Sequence, residues 1–222
     1  MFVLIAGIEK ITRIKEKCKK IKIMVEKINN IQLRAARHAV GLGVREIGKL
    51  IGVGASTVGN HERVGVSKKA AEAFFVEHSK QLIHFFKEKH NIIFPDYCSI
   101  EFQASPEVLE NLPKEGGELT RFQLRCARCM LNISQNTLSK YTGIGEKLLA
   151  HKELKKNEEL LYMIQSNGEV EQLLQKWFFY HGIKFQNKYC VKFKKTLALS
   201  INDLLRSEPV NFIKPKKEVM PT

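Results

Sequence analysis

Cys126 and Cys129 form a Cys-x-x-Cys pair, the spacing used for zinc ligation or thiol–disulfide exchange. Here the pair sits inside a stretch of helical period, and no second Cys or His pair follows at zinc spacing. It reads as packing. His78, His84, His90 and His181 are scattered along amphipathic segments, with no nucleophile–base spacing and no paired carboxylates nearby. Gly52-x-Gly54 follows no strand and is turn chemistry, not a phosphate loop. The sequence therefore predicts no metal, no cofactor and no catalytic residue, and an enzyme is the weaker class. A different set of side chains stands out: Ser134, Gln135, Glu146, Lys147, His151 and Lys152. Lysine donates to guanine and glutamine pairs with adenine or holds a phosphate. Histidine donates or accepts, and glutamate accepts from cytosine but repels phosphate.

The stretch 122–154, FQLRCARCMLNISQNTLSKYTGIGEKLLAHKEL, must position these side chains. Leu124, Ala127 and Leu131 recur at helical spacing and give one apolar face. Ser134 offers an N-cap, and Leu138 and Tyr141 continue a second short helix. Gly143 breaks that helix, and Ser139, four residues before it, leaves room for a third helix to cross closely. The third helix is expected to turn Leu148 and Leu149 inward and Glu146, Lys147, His151 and Lys152 to solvent.

This order of helices, with Leu124-Arg125, Arg128, Ser134-Gln135, Leu138, Gly143-Ile144 and Glu153 at their spacings, resembles the Cro/repressor-type (XRE family) helix-turn-helix. The resemblance implies a lambda-repressor-like fold. It implies a structural ion pair between Arg128 and Glu153 beneath the third helix. It also implies DNA contacts from the glutamine opening the second helix and from the exposed residues opening the third.

The same grammar occurs earlier, in residues 31–63, IQLRAARHAVGLGVREIGKLIGVGASTVGNHER. Gln32 and Gln123 are 91 positions apart, and at that offset the two segments align without gaps. Leu33/Leu124, Arg37/Arg128, Gly52/Gly143 and Glu62/Glu153 are identical pairs. The agreement persists downstream in Leu82/Leu173, Phe86/Trp177, His90/His181 and Phe94/Phe185, which indicates duplication of a whole domain. Arg37–Glu62 is then the second expected ion pair, and Cys126 and Cys129 fall opposite Ala35 and His38. The first copy departs from the family pattern. Gly43-Val44 replaces Ser134-Gln135, and Gly59 lies inside the third helix at a cost of about 1 kcal/mol relative to Ala. The DNA-facing candidates there are Ser56, Thr57, Asn60 and His61, beside Ala55, and none is a lysine or arginine. This copy is either a weak reader or a structural partner of the second.

A chain of 222 residues with formal net charge +14 and pI about 9.6 suits a polyanionic partner, because Lys and Arg beside phosphates release counterions. The odd number of cysteines, without secreted-type spacing, reads as reduced thiols in a cytoplasmic protein. No apolar run is long enough to span a bilayer, and MFVLIAGI has no basic residue before it, so neither a membrane partner nor a signal peptide is expected. Residues 1–28 predict a basic amphipathic helix that packs on its own domain, pairs with a second copy in a homodimer, or lies on anionic lipid. A start at Met24 would remove it. Residues 29–102 form the first predicted domain, 103–119 a linker rich in Pro, Gly and Glu, 120–194 the second domain, and 195–222 a basic tail after a short helix at 200–206. Each domain ends in a predicted β-hairpin, turning at Pro95-Asp96 and at Asn187-Lys188. The second, HGIKFQNKYCVKF, resembles the GV-x-F … GV-x-L tail of many bacterial members of the family. A lone hairpin is marginal in water, so the two should pair, within one chain or between two, about a pseudo-two-fold axis.

The fold expected is mainly α, with two duplicated helix-turn-helix domains. The function expected is a sequence-specific transcriptional regulator of double-stranded DNA, cytoplasmic and associated with the bacterial nucleoid. A protein-interaction or antitoxin-like module on the same scaffold and a non-specific nucleic-acid binder are the alternatives.

Overall fold

The computed structural model describes residues 25, 27–63, 76–107, 119–154, 157 and 169–193. The basic helix expected within 1–28, apart from residues 25, 27 and 28, most of the linker at 103–119, the helix at 200–206 and the tail lie outside the described residues. Val25 and Ile28 are buried in the apolar core.

The chain is mainly helical, with one small antiparallel sheet. In order, the elements are α1 (Asn30–Ala39), α2 (Val44–Ile51), α3 (Ala55–Arg63), α4 (Val76–His90), β1 (Ile92–Ile93) and β2 (Ser99–Phe102). The second half runs α5 (Arg121–Met130), α6 (Gln135–Thr142), α7 (Glu146–Glu153), α8 (Glu169–Tyr180), β3 (Ile183–Asn187) and β4 (Cys190–Phe193). Among the described residues no helix is long and apolar enough to cross a membrane.

Local chemistry explains where the helices start and stop. Asn29 caps α1 in a reciprocal box with Gln32, and Thr120 caps α5 in the same box with Gln123. These capping side chains also reach each half's own hairpin. Gln32 Nε2 donates to Asp96 O at 2.7 Å, and Gln123 Nε2 donates to Asn187 O at 2.5 Å. Asn29 Nδ2 donates to Tyr97 O at 2.6 Å, and Thr120 Oγ1 donates to Lys188 O at 2.8 Å. Each contact in one half thus recurs 91 positions on. Gly52 and Gly143 end α2 and α6 in the left-handed region, at φ 70° and 72°, where a Cβ would crowd the following carbonyl.

The hairpins pair with each other inside the chain, in the strand order β1-β2-β4-β3. The central pair aligns Ile100 with Val191, Ser99 with Lys192 and Glu101 with Cys190. Ile100 and Val191 are equivalent positions at the offset of 91, so exchanging the halves reproduces the register. Phe102 N donates to Tyr189 O at 3.0 Å, and its equivalent, Phe193 N, donates to Cys98 O at 2.9 Å. The first helices obey the same rule. They pack along α1 and α5, and the Cys126 thiol donates to the carbonyl of Ala35, its own equivalent, at 3.8 Å. An approximate two-fold axis therefore passes between Ile100 and Val191 and between Ala35 and Cys126. One continuous apolar core runs through both halves.

Two arginines cross this seam, and they are not equivalents. Arg34 Nη1 donates to Glu62 O at 2.5 Å and Nη2 to Met130 O at 3.1 Å. Arg121 Nε donates to Glu153 O at 2.9 Å and Nη1 to Ala39 O at 2.6 Å. Each guanidinium ties the end of its own half's third helix to the other half's first helix. Arg121 does so from one helical turn earlier than Arg34. Asn30 occupies the place matching Arg121, fully buried, with neither amide atom hydrogen-bonded.

Candidate nucleic-acid interface

The third helix of the second half, α7, is held from beneath. Arg128 grips Glu153 with two parallel hydrogen bonds, both 2.6 Å, and donates Nη1 to Ile133 O at 2.8 Å. Arg37 grips Glu62 in the same fork, at 2.7 and 2.8 Å, and donates Nη1 to Leu42 O at 2.7 Å. Both carboxylates are buried. Burial works against the charge on Arg37 and Arg128, yet their glutamates outweigh it and hold each guanidinium above its ordinary pKa.

On this anchor, α7 turns Glu146, Lys147 and His151 to solvent, with Lys152 half-buried and Leu149 inside. Leu148 does not point inward with Leu149; it is exposed. Leu148 lies about 100° round the helix from Leu149, on the side away from the buried Glu153. Gly145 opens α7 with no side-chain cap bond, and Glu146 places a carboxylate in the first turn.

The residues opening α6 are more occupied than the sequence suggests. Ser134 accepts from Thr137 N at 2.9 Å, so its hydroxyl serves as the N-cap. Gln135 Nε2 donates to Glu153 Oε2 at 3.0 Å, which spends one of its two amide hydrogens on the buried ion pair. Asn136, not among the sequence candidates, donates to Glu146 Oε2 at 2.9 Å and draws that carboxylate towards α6.

The first half presents a different face. Ser56, Thr57 and Asn60 on α3 are exposed, and Val58 and Glu62 are buried. His61 is half-buried, and burial pulls its pKa down to about 4, so it is neutral at pH 7. Gly43 opens α2 with no side-chain cap bond. Behind α3, His38 accepts from Arg37 Nη2 at 3.0 Å. Burial first, and then the surrounding arginines, hold its pKa at about 4.

The cysteine pair is buried. Burial raises the Cys126 thiol well above its ordinary pKa and lifts Cys129 to about 11, so neither is a thiolate at neutral pH. Among the described residues no group of three or more His, Cys, Asp or Glu is placed to hold a metal ion.

No family model, characterised protein or solved structure matches this chain. Its site is therefore read from its own geometry. Asn136 is a residue of that geometry that the sequence did not single out, and Leu148 is one that the sequence placed inward. Leu148 was detectable, because its equivalent is the polar Thr57 and a buried position seldom alternates so.

Proposed function

We propose that this chain is a sequence-specific DNA-binding regulator whose two halves are duplicated helix-turn-helix units, with the third helix of each directed at the major groove. One observation carries this reading: α7 presents Lys147, Leu148 and His151 on one solvent face while Glu153, on its opposite side, is locked to Arg128. A rigid helix with donors on its outer face and apolar anchors beneath is what base-edge readout requires. Lys147 donates to guanine, His151 bonds a base edge or phosphate, and Leu148 offers an apolar contact to a thymine methyl. The formal net charge of +14 supplies the phosphate attraction. Covalent linkage of two such units raises the effective concentration of the second contact.

A protein-interaction or antitoxin-like role on the same scaffold is the second reading. It is favoured by Phe179 and Tyr180, adjacent aromatics exposed on α8.

The test is selection from a randomised duplex library at near-physiological salt, with wild type beside the Lys147→Ala/His151→Ala double variant. An enriched motif that the double variant loses supports base readout through α7. Binding without enrichment, equal in both proteins, would assign binding to the basic flanks. No binding would move the protein-interaction reading to the front.

A further inference from the structure

At the offset of 91, the buried positions of the two third helices carry the same chemistry. Val58 matches Leu149, and Glu62 matches Glu153. The outward positions do not: Ser56 faces Lys147, Thr57 faces Leu148 and Asn60 faces His151. The scaffold is held in common while the two solvent faces differ at every polar position. These unlike faces are carried on one rigid arrangement. Ile100 pairs with Val191 and Ala35 meets Cys126 across the axis, and Arg34 and Arg121 bind the ends of α3 and α7 to the seam. Two heads related by a two-fold axis meet duplex DNA in opposite directions, so their half-sites are inverted relative to each other.

We infer that one chain occupies one operator as a built-in, unequal dimer, on two inverted half-sites of different sequence, a guanine-bearing half under α7 and an adenine-bearing half under α3. This inference rests on the proposed DNA reading. The base assignment follows from side-chain chemistry. Lys147 donates to the O6 and N7 acceptors of guanine. Asn60 offers the donor and acceptor that match the N7 and N6 edge of adenine, and Ser56 bonds without strong preference. The operator consequently has a direction, and the protein binds it in one orientation. A symmetric dimer of identical chains has no such orientation.

The experiment is library selection and sedimentation with wild type and with the Ser56→Lys/Thr57→Leu/Asn60→His variant, whose α3 carries the lysine, leucine and histidine of the α7 reading face. All three changes are at exposed positions, and matching thermal melts verify the fold. Wild type should select an inverted, non-palindromic motif bound by one chain per duplex. The variant should select a more nearly palindromic one. Replacing the α3 half-site with a copy of the α7 half-site should weaken wild type about tenfold or more, and should not weaken the variant. A wild-type palindrome occupied by two chains, a motif with a single half-site, or an unchanged motif in the variant overturns the inference while the DNA reading stands. Absence of any enriched motif in both proteins overturns the DNA reading itself, and this inference with it.

Discussion

Glu62 and Glu153 hold the same place in the two halves, but they carry different loads. Among the described residues the Glu62 carboxylate is hydrogen-bonded by Arg37 and feels the charge of Arg34, whereas the Glu153 carboxylate is hydrogen-bonded by Arg128 and by the amide of Gln135, with the Arg125 guanidinium at 3.8 Å. The turns above them differ too. In the first half, Gly48 lets the Val53 N–H bond its carbonyl at 2.9 Å, and a Cβ on Gly48 would lie 2.6 Å from Val53 O. In the second half Ser139 stands in that place, and Ile144 N bonds the Thr142 hydroxyl at 3.4 Å instead. The two halves therefore reach one architecture through different local solutions. The half with the chemically richer outer face is also the half whose third helix is more firmly tied down. That is the arrangement expected where the two heads read different half-sites, as inferred above.

The largest test of this contrast is removal of the buried carboxylates. Glu153→Ala should cost about 3–5 kcal/mol of stability, because it strands Arg128 in the interior, and it should exceed Glu62→Ala by about 1 kcal/mol for the lost Gln135 bond. Denaturant unfolding of the two variants measures the difference. Equal costs would show that the extra partners of Glu153 contribute nothing.

Gly48→Ser, which writes the second half's residue into the first, should destabilise by about 1–3 kcal/mol, because its Cβ meets backbone rather than a movable side chain. A neutral result in the same unfolding experiment would mean that the first turn can adopt the second turn's hydrogen bonding.

Acid should act on the first half more than on the second. His38 and His61 are held neutral, at about 4, against an ordinary value of 6.5, and their equivalents are Cys129 and Lys152. The unfolded chain binds protons at these sites before the folded chain does. Their contribution to stability is therefore complete above pH 6.5 and is lost as pH falls towards 4. Melting temperature recorded across that range should decline. The His38→Gln/His61→Gln variant should decline less, and an identical slope would remove both histidines from the account.

The smallest expected effect is a gain. Gly59→Ala places in α3 the residue that α7 already has at position 150. Nothing lies within 4 Å of the added Cβ, so stability should rise by about 0.5–1 kcal/mol. A loss in thermal unfolding would show that the site needs glycine for some other reason.

Much of this scaffold was legible in the sequence because its signals are local or recur at a fixed offset. Asn29–Gln32 and Thr120–Gln123 announce two helix starts and Gly52 and Gly143 two helix ends, while the ion pair Arg128–Glu153 was implied by the family resemblance and Arg37–Glu62 by the repeat. The pairing of the hairpins followed from the instability of each alone. What the sequence did not disclose depends on what lies opposite. The crossing of Arg34 and Arg121 joins residues far apart in the chain, and Gln135 turns inward only because Glu153 has an oxygen within reach. Leu148 is exposed because α7 meets the core by the side that carries Leu149 and Glu153, which the sequence of α7 alone does not fix.

The most direct test of the central claim, that both third helices address one duplex, is the change in backbone amide NMR shifts when the selected duplex is added to the full chain. The account predicts perturbations clustered at 55–61 and 146–152, larger in the second cluster, with the seam around Ala35 and Cys126 little changed. Perturbations confined to 1–28 and 195–222, with α3 and α7 silent, would contradict it.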